Sequence, residues 1–156
     1  MVSYIKVEVP ELYPYVLFVT AVFAIEYLLI NFSGGSVRSR VFNQDYLHKH
    51  FGQDHHKYFK ESVPKGGYPD CGNGIFSKHI SYKDWYEFNL AQRASKNFLE
   101  CFTMICFGLL LTGLVYTQVA IGLGASMIVL RFLYTLGYRK SAFDRIKLGA
   151  PLLMLC

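Results

Sequence analysis

Three long apolar runs separated by polar segments organise this chain. The first extends from Tyr13 to Phe32 and contains one acid, Glu26; the second runs from about Phe98 to Val115, and the third from about Gln118 to Tyr138. Each approaches the ~20 residues with which an α-helix crosses about 30 Å of hydrocarbon. Only helices and closed barrels satisfy their backbone groups in lipid, and none of these runs alternates with the two-residue period of a barrel strand. The pattern predicts three transmembrane helices in an all-α integral membrane protein. A cleaved signal peptide accounts poorly for the first run, because Glu8 and Glu11 precede it with only Lys6 for positive charge.

Between the first two runs, over about residues 33–86, the chain is polar and rich in aromatics. Ser33-Gly34-Gly35-Ser36 is expected to break the first helix, and Pro64 to Pro69 with Gly72-Asn73-Gly74 supply turns. A connection of this length is functional, partner-binding or folded onto its own surface. Its aromatic content, Phe42, Tyr46, Phe51, Tyr58 and Trp85 among others, argues against disorder. The whole of residues 1–156 is read as one membrane helix-bundle domain carrying this long connection.

Composition agrees: 53% of residues are hydrophobic and 17% charged, apolar-rich and charge-poor beside a soluble domain. The formal net charge of +5 acquires meaning from its layout. Lys and Arg crowd the connection and recur after the third run as Arg139, Lys140, Arg145 and Lys147. Three spans place both basic segments on one side, as the positive-inside bias requires, and that side faces the cytosol or the mitochondrial matrix. A nucleic-acid partner is not implied. The four cysteines, Cys71, Cys101, Cys106 and Cys156, show no CxxC pair and no regular spacing, so their pattern demands no disulfide framework. Histidines 48, 50, 55, 56 and 79 cluster with Cys71 and Asp54, yet no pair has the spacing of a zinc site; they read as surface or interfacial side chains, and no metal is expected.

Two polar stripes enter the apolar runs. Asn89, Arg93, Asn97 and Glu100 are spaced by four, four and three residues, on one face of a helix that begins around Tyr86. Arg131, Tyr134 and Tyr138 repeat the device in the third run, with Arg145 seven residues on. Each arginine alone is accounted for by snorkelling to the headgroups, with Glu100 as a pairing carboxylate. Together, the stripes lie toward the basic side and are expected to converge on one pocket for a small, multiply charged, water-soluble ligand. Arginines grip carboxylates in a fork, Glu100 suits an ammonium, and the tyrosines offer phenolic donors.

Arg93-x-x-x-Asn97-x-x-Glu100, with Asn89 and Gln92 just ahead, resembles the second-helix signature of the membrane-associated proteins in eicosanoid and glutathione metabolism. Arg131-x-x-Tyr134-x-x-x-Tyr138, preceded by Gly122-Leu123-Gly124, resembles the third-helix signature of the same superfamily. The subgroup it looks most like is the type-three microsomal glutathione transferases, relatives of leukotriene C synthase. The resemblance covers the first run and then Phe88 to about Arg145.

The resemblance implies a left-handed four-helix transmembrane bundle that assembles as a homotrimer, with glutathione as co-substrate held between neighbouring subunits. Arg93, Asn97 and Glu100 would grip the tripeptide's charged ends, with Arg38, Arg131, Tyr134 and Tyr138 as further contacts. Arg145 would be the catalytic residue that holds the sulfur as thiolate. The chemistry is sound, because a free thiol has a pKa of about 8.5 and a fixed guanidinium favours the anion without losing its own proton. The thiolate then attacks a lipophilic electrophile or the oxygen of a lipid hydroperoxide. Glutathione, lipids and lipophilic electrophiles are the implied partners, and the endoplasmic reticulum or a mitochondrial membrane the implied location.

The chain departs from the family pattern in three places. Cys101 follows the motif glutamate where leukotriene C synthase has a tyrosine, and the first connection is long. After Arg145 the sequence is short of a fourth span, and Pro151 fits poorly inside a helix. This raises two alternatives: an idle relative recruited as an accessory subunit of a larger membrane complex, such as a mitochondrial respiratory assembly, or a lipid-binding relative like the lipoxygenase-activating branch. Under the accessory reading, a helix from another chain is expected in the fourth position.

Overall fold

The computed structural model describes residues 8–64, 70–141 and 143–144. Four α-helices occur among them: α1 (Tyr13–Val41), α2 (Gln44–Phe59), α3 (Tyr82–Val115) and α4 (Thr117–Lys140), with a short 3-10 turn at Ile75–His79 between α2 and α3. Helices α1, α3 and α4 are each long and apolar enough to cross a membrane. They pack against one another in all three pairings, giving an all-helical membrane bundle with no strand among the described residues. The expected fourth span and Arg145 lie outside the described residues.

The bundle is inverted relative to a soluble protein. Large apolar side chains such as Phe18, Phe32, Met104, Phe107 and Leu123 are exposed, which in lipid costs nothing because acyl chains are as apolar as they are. Inward contacts are made by a narrow stripe. On α1 the buried positions are Val16, Phe23, Glu26, Ile30 and Val41, spaced for one helical face. Phe23 packs its ring 4.9 Å from Phe98 and stacks on Phe102 at 5.8 Å, with Tyr27 edge-on to Phe98 at 5.5 Å. Small residues set the helix spacing elsewhere. A side chain at Gly113 would meet Val16 at 2.8 Å, and one at Gly124 would collide with Val19, so α1 lies close to both α3 and α4.

Ser33-Gly34-Gly35-Ser36 does not end the first helix; α1 continues to Val41. The Ser33 and Ser36 hydroxyls donate back to the Ile30 and Ser33 carbonyls at 2.6 and 2.8 Å, and Gly34 faces Ser95 and the Ala91 carbonyl of α3. Contact with α3 thus outweighs the weak helix propensity of the tetrad. The second membrane helix also begins earlier than expected, at Tyr82. Ser81 caps it, accepting from the Asp84 amide at 3.1 Å, a short relative of the capping box.

The connection is folded. Asn43 caps α2 by accepting from the Tyr46 amide at 2.9 Å. Phe42 meets Phe88 of α3 edge-on at 5.2 Å, and Tyr46 donates to the Phe76 carbonyl at 2.5 Å. Gly72 has a positive φ of 79° and lies under Phe88 and Phe42, where no side chain fits. His50 stacks on His79 at 4.6 Å beside Phe51. Desolvation and the neighbouring His79 and Lys49 push the His50 imidazole below its ordinary pKa.

Candidate functional site

Helices α3 and α4 form an antiparallel hairpin through Tyr116, which caps both. Leu90 and Ala94 of α3 pack against Tyr134 and Tyr138 of α4. This seam brings the two polar stripes together. Arg131 donates from Nη1 to Asn97 Oδ1 at 2.7 Å, and its guanidinium lies over the Phe98 ring at 4.9 Å and the Tyr134 ring at 5.5 Å. Closer to the basic end, Arg93 Nε donates to the Tyr138 hydroxyl at 3.5 Å, a long contact. The Tyr134 and Tyr138 rings meet edge-on at 5.6 Å.

Arg131 is 1% exposed. Snorkelling therefore does not describe it: the guanidinium turns inward, to an amide and two rings. Arg93 and Glu100 are exposed on the same helix, and Asn97 is half-buried between them. Glu100 makes no ion pair with a described residue. Arg93 and Glu100 thus present opposite charges on the outer flank of the seam, while Tyr134 and Tyr138 form a buried wall behind them.

One charged residue of this region was visible in the sequence but carried no assigned role. Glu26 of α1 is 9% exposed, within the electrostatic field of Arg131. Its carboxyl oxygens accept no hydrogen bond from a described residue. Its signal was being the only acid in the first apolar run.

Arg38 does not join the α3–α4 seam. It lines a groove of about 460 Å³ between α1 and α3, with Asn31, Gln92 and Ser95, and donates from Nη2 to the Asp70 carbonyl at 3.0 Å. Gln92 and Arg93 are sequence neighbours about 100° apart around α3, so one turns to α1 and the other to α4. Six of the eight sequence-derived site residues are therefore grouped on the α3–α4 side (Arg93, Asn97, Glu100, Arg131, Tyr134 and Tyr138), Arg38 lies on the other, and Arg145 is outside the described residues. Among the described residues no group of three or more His, Cys, Asp or Glu side chains is arranged to hold a metal.

Three apolar spans with an arginine-bearing polar seam between two of them define an integral membrane helix-bundle protein. The chain belongs to the MAPEG family, whose model matches residues 12–151. No curated protein and no solved structure matches it.

Proposed function

We propose that this protein is a membrane-bound glutathione transferase or peroxidase of the MAPEG family, nearest in character to the type-three microsomal enzymes, in the endoplasmic reticulum or a mitochondrial membrane. The observation that carries this reading is the convergence of Arg93, Asn97 and Glu100 with Tyr134 and Tyr138 along one seam at the basic end of the spans. That seam offers a cation and a carboxylate on its rim and phenols behind, matching a tripeptide that carries two carboxylates and an ammonium. Buried Arg131 holds Asn97 in place and supplies positive field from beneath. Arg145 is assigned the sulfur, as the residue that favours thiolate.

The separate groove of Arg38 and Gln92 fits the same reading. A tripeptide touching both faces of α3 requires two copies of the chain, as a homotrimer with its site between subunits provides. The protein would bring a water-soluble nucleophile to an electrophile dissolved in the bilayer, so that both are held at one depth. The accessory-subunit alternative is not favoured by family membership.

The test is glutathione titration calorimetry on the purified full chain in lipid vesicles, followed by conjugation of a lipophilic aryl halide and reduction of a fatty-acid hydroperoxide. Saturable binding with turnover of either electrophile supports the reading. Absence of glutathione binding in folded protein would remove it.

A further inference from the structure

Beside the seam, and sharing Leu90 with it, a second cleft of about 620 Å³ opens at the basic end of the bundle. It lies between the ends of α1 and α4 and the start of α3, and Lys83, Arg139 and Lys140 supply its charge. Glu87 also lines it, but its carboxylate accepts from Arg40 at 2.6 Å, so the cleft keeps a net positive character. Ser36 and Tyr86 add hydroxyls. None of these residues belongs to the proposed glutathione site.

The cleft continues into the membrane. A smaller cavity of about 220 Å³ shares Ser33 and Arg139 with it and runs down between α1 and α4, walled by Leu29, Ile30, Phe132 and Leu136. Arg139 donates to the Ser33 hydroxyl where the two meet. Phe132 and Glu26 stand about two turns deeper, about 10 Å toward the bilayer centre, with Glu26 at the floor. A cationic, hydroxyl-lined head chamber therefore opens into a narrow apolar slot lying along the helices.

We propose that this composite groove is a binding site for an anionic phospholipid, its phosphate held by Lys83, Arg139 and Lys140 and one acyl chain laid along Leu29, Ile30, Phe132 and Leu136. Three features favour this occupant. The cations stand at the basic ends of the spans, where an anionic headgroup lies in the leaflet they face. Arginine and lysine match phosphate oxygens by charge and hydrogen bonding. The slot joins the chamber in the direction an acyl chain takes from its headgroup, which a free phosphate does not use. Glu26 sits at the opposite end from the phosphate, out of contact with it.

The experiment uses the full chain, exchanged into mixed vesicles of phosphatidylglycerol and phosphatidylcholine, extracted in mild detergent and read by native mass spectrometry for retained lipid. Preferential retention of phosphatidylglycerol by about tenfold or more is expected, and the triple variant Lys83→Gln, Arg139→Gln, Lys140→Gln should abolish that preference. The charge-preserving set Lys83→Arg, Arg139→Lys, Lys140→Arg should keep it. Leu136→Trp, which fills the slot but leaves the cations, should lower retention as strongly as charge removal. Lys57→Gln on α2 with Lys60→Gln at its C-cap should change nothing.

Equal retention of the two lipids overturns the proposal, and so does an unaffected neutral triple variant. Loss in the charge-preserving set points to a structural role and also overturns it. So does a Leu136→Trp variant with full retention, or displacement of the lipid by inorganic phosphate, since either marks a bare anion site. An equal effect from the Lys57 and Lys60 pair reduces the preference to general basic attraction and overturns it as well.

Discussion

Arg131 and Asn97 join α4 to α3 through a 2.7 Å hydrogen bond, with the arginine almost wholly withdrawn from the surface. An amide that accepts from a buried guanidinium is costly to delete, because the donor loses this contact in a medium that offers no water to replace it. Asn97→Ala should destabilise the protein by about 1–2 kcal/mol. Ser126→Ala, whose hydroxyl donates only to Gly122 of its own helix, should cost less than about 0.5 kcal/mol. Thermal unfolding in one detergent compares them, and equal losses would show that the Arg131 contact carries no special weight.

Glutathione affinity should depend on the exposed rim of the seam. Arg93→Ala removes a charge-assisted contact and is expected to weaken binding by about 1–2 kcal/mol, roughly tenfold, in protein that stays folded. Calorimetry with unchanged affinity would take Arg93 out of the site.

Arg145 is predicted to act on the sulfur instead. Bound thiolate absorbs in the ultraviolet, so a pH titration of the glutathione complex reads its pKa. Arg145→Leu should raise that value toward about 8.5 while some binding persists. A wild-type complex with an unshifted thiol would leave the reading without a mechanism.

Close approach of the spans gives a packing prediction with an internal control. A side chain at Gly124 collides with Val19, whereas Gly122, one turn-fraction away on α4, has open space around it. Gly124→Val should destabilise by about 1–3 kcal/mol through overpacking. Gly122→Val should be near neutral in the same unfolding assay, and similar losses at both sites would show that the Val19 contact does not decide the cost.

The His50–His79 stack makes the connection acid-sensitive. His50 has a lowered pKa in the folded protein, so the unfolded chain binds its proton first. Stability from the neutral form is complete above the unfolded value of about 6.5 and is lost as pH falls from there through the folded value. Hydrogen exchange across α2 should quicken in that window, and His50→Gln should flatten the response. An equally steep response in the variant would assign the sensitivity elsewhere.

The spans were legible because length and hydropathy alone decide what can cross lipid, and the seam was legible because four- and three-residue spacings fix a helical face. The register between faces was not. Nothing in local spacing says that Gln92 turns toward Arg38 while Arg93 turns toward Tyr138; that follows from which helix packs on which side of α3. The Ser33–Ser36 tetrad, flexible by its own composition, stays helical because Ala91 and Ser95 of α3 lie against Gly34. The start of α3 lies four residues ahead of Tyr86 because the Ser81–Asp84 cap, a short polar signal, sets it.

The residue shared as a cap by α3 and α4 gives the hairpin a fixed origin. With no slack at Tyr116, distance along each helix is measured from one point, as on the two scales of a vernier. Arg93 and Tyr138 stand at nearly the same count from that origin, and Asn97 and Arg131 stand about a turn or more nearer to it on their respective helices. Depth in the bilayer is thereby written as residue number. One residue inserted anywhere between Asn97 and Arg131 and kept within a helix would swing everything beyond it by about 100° and lift it by about 1.5 Å, so both polar pairs hold their depth only while this stretch keeps its length.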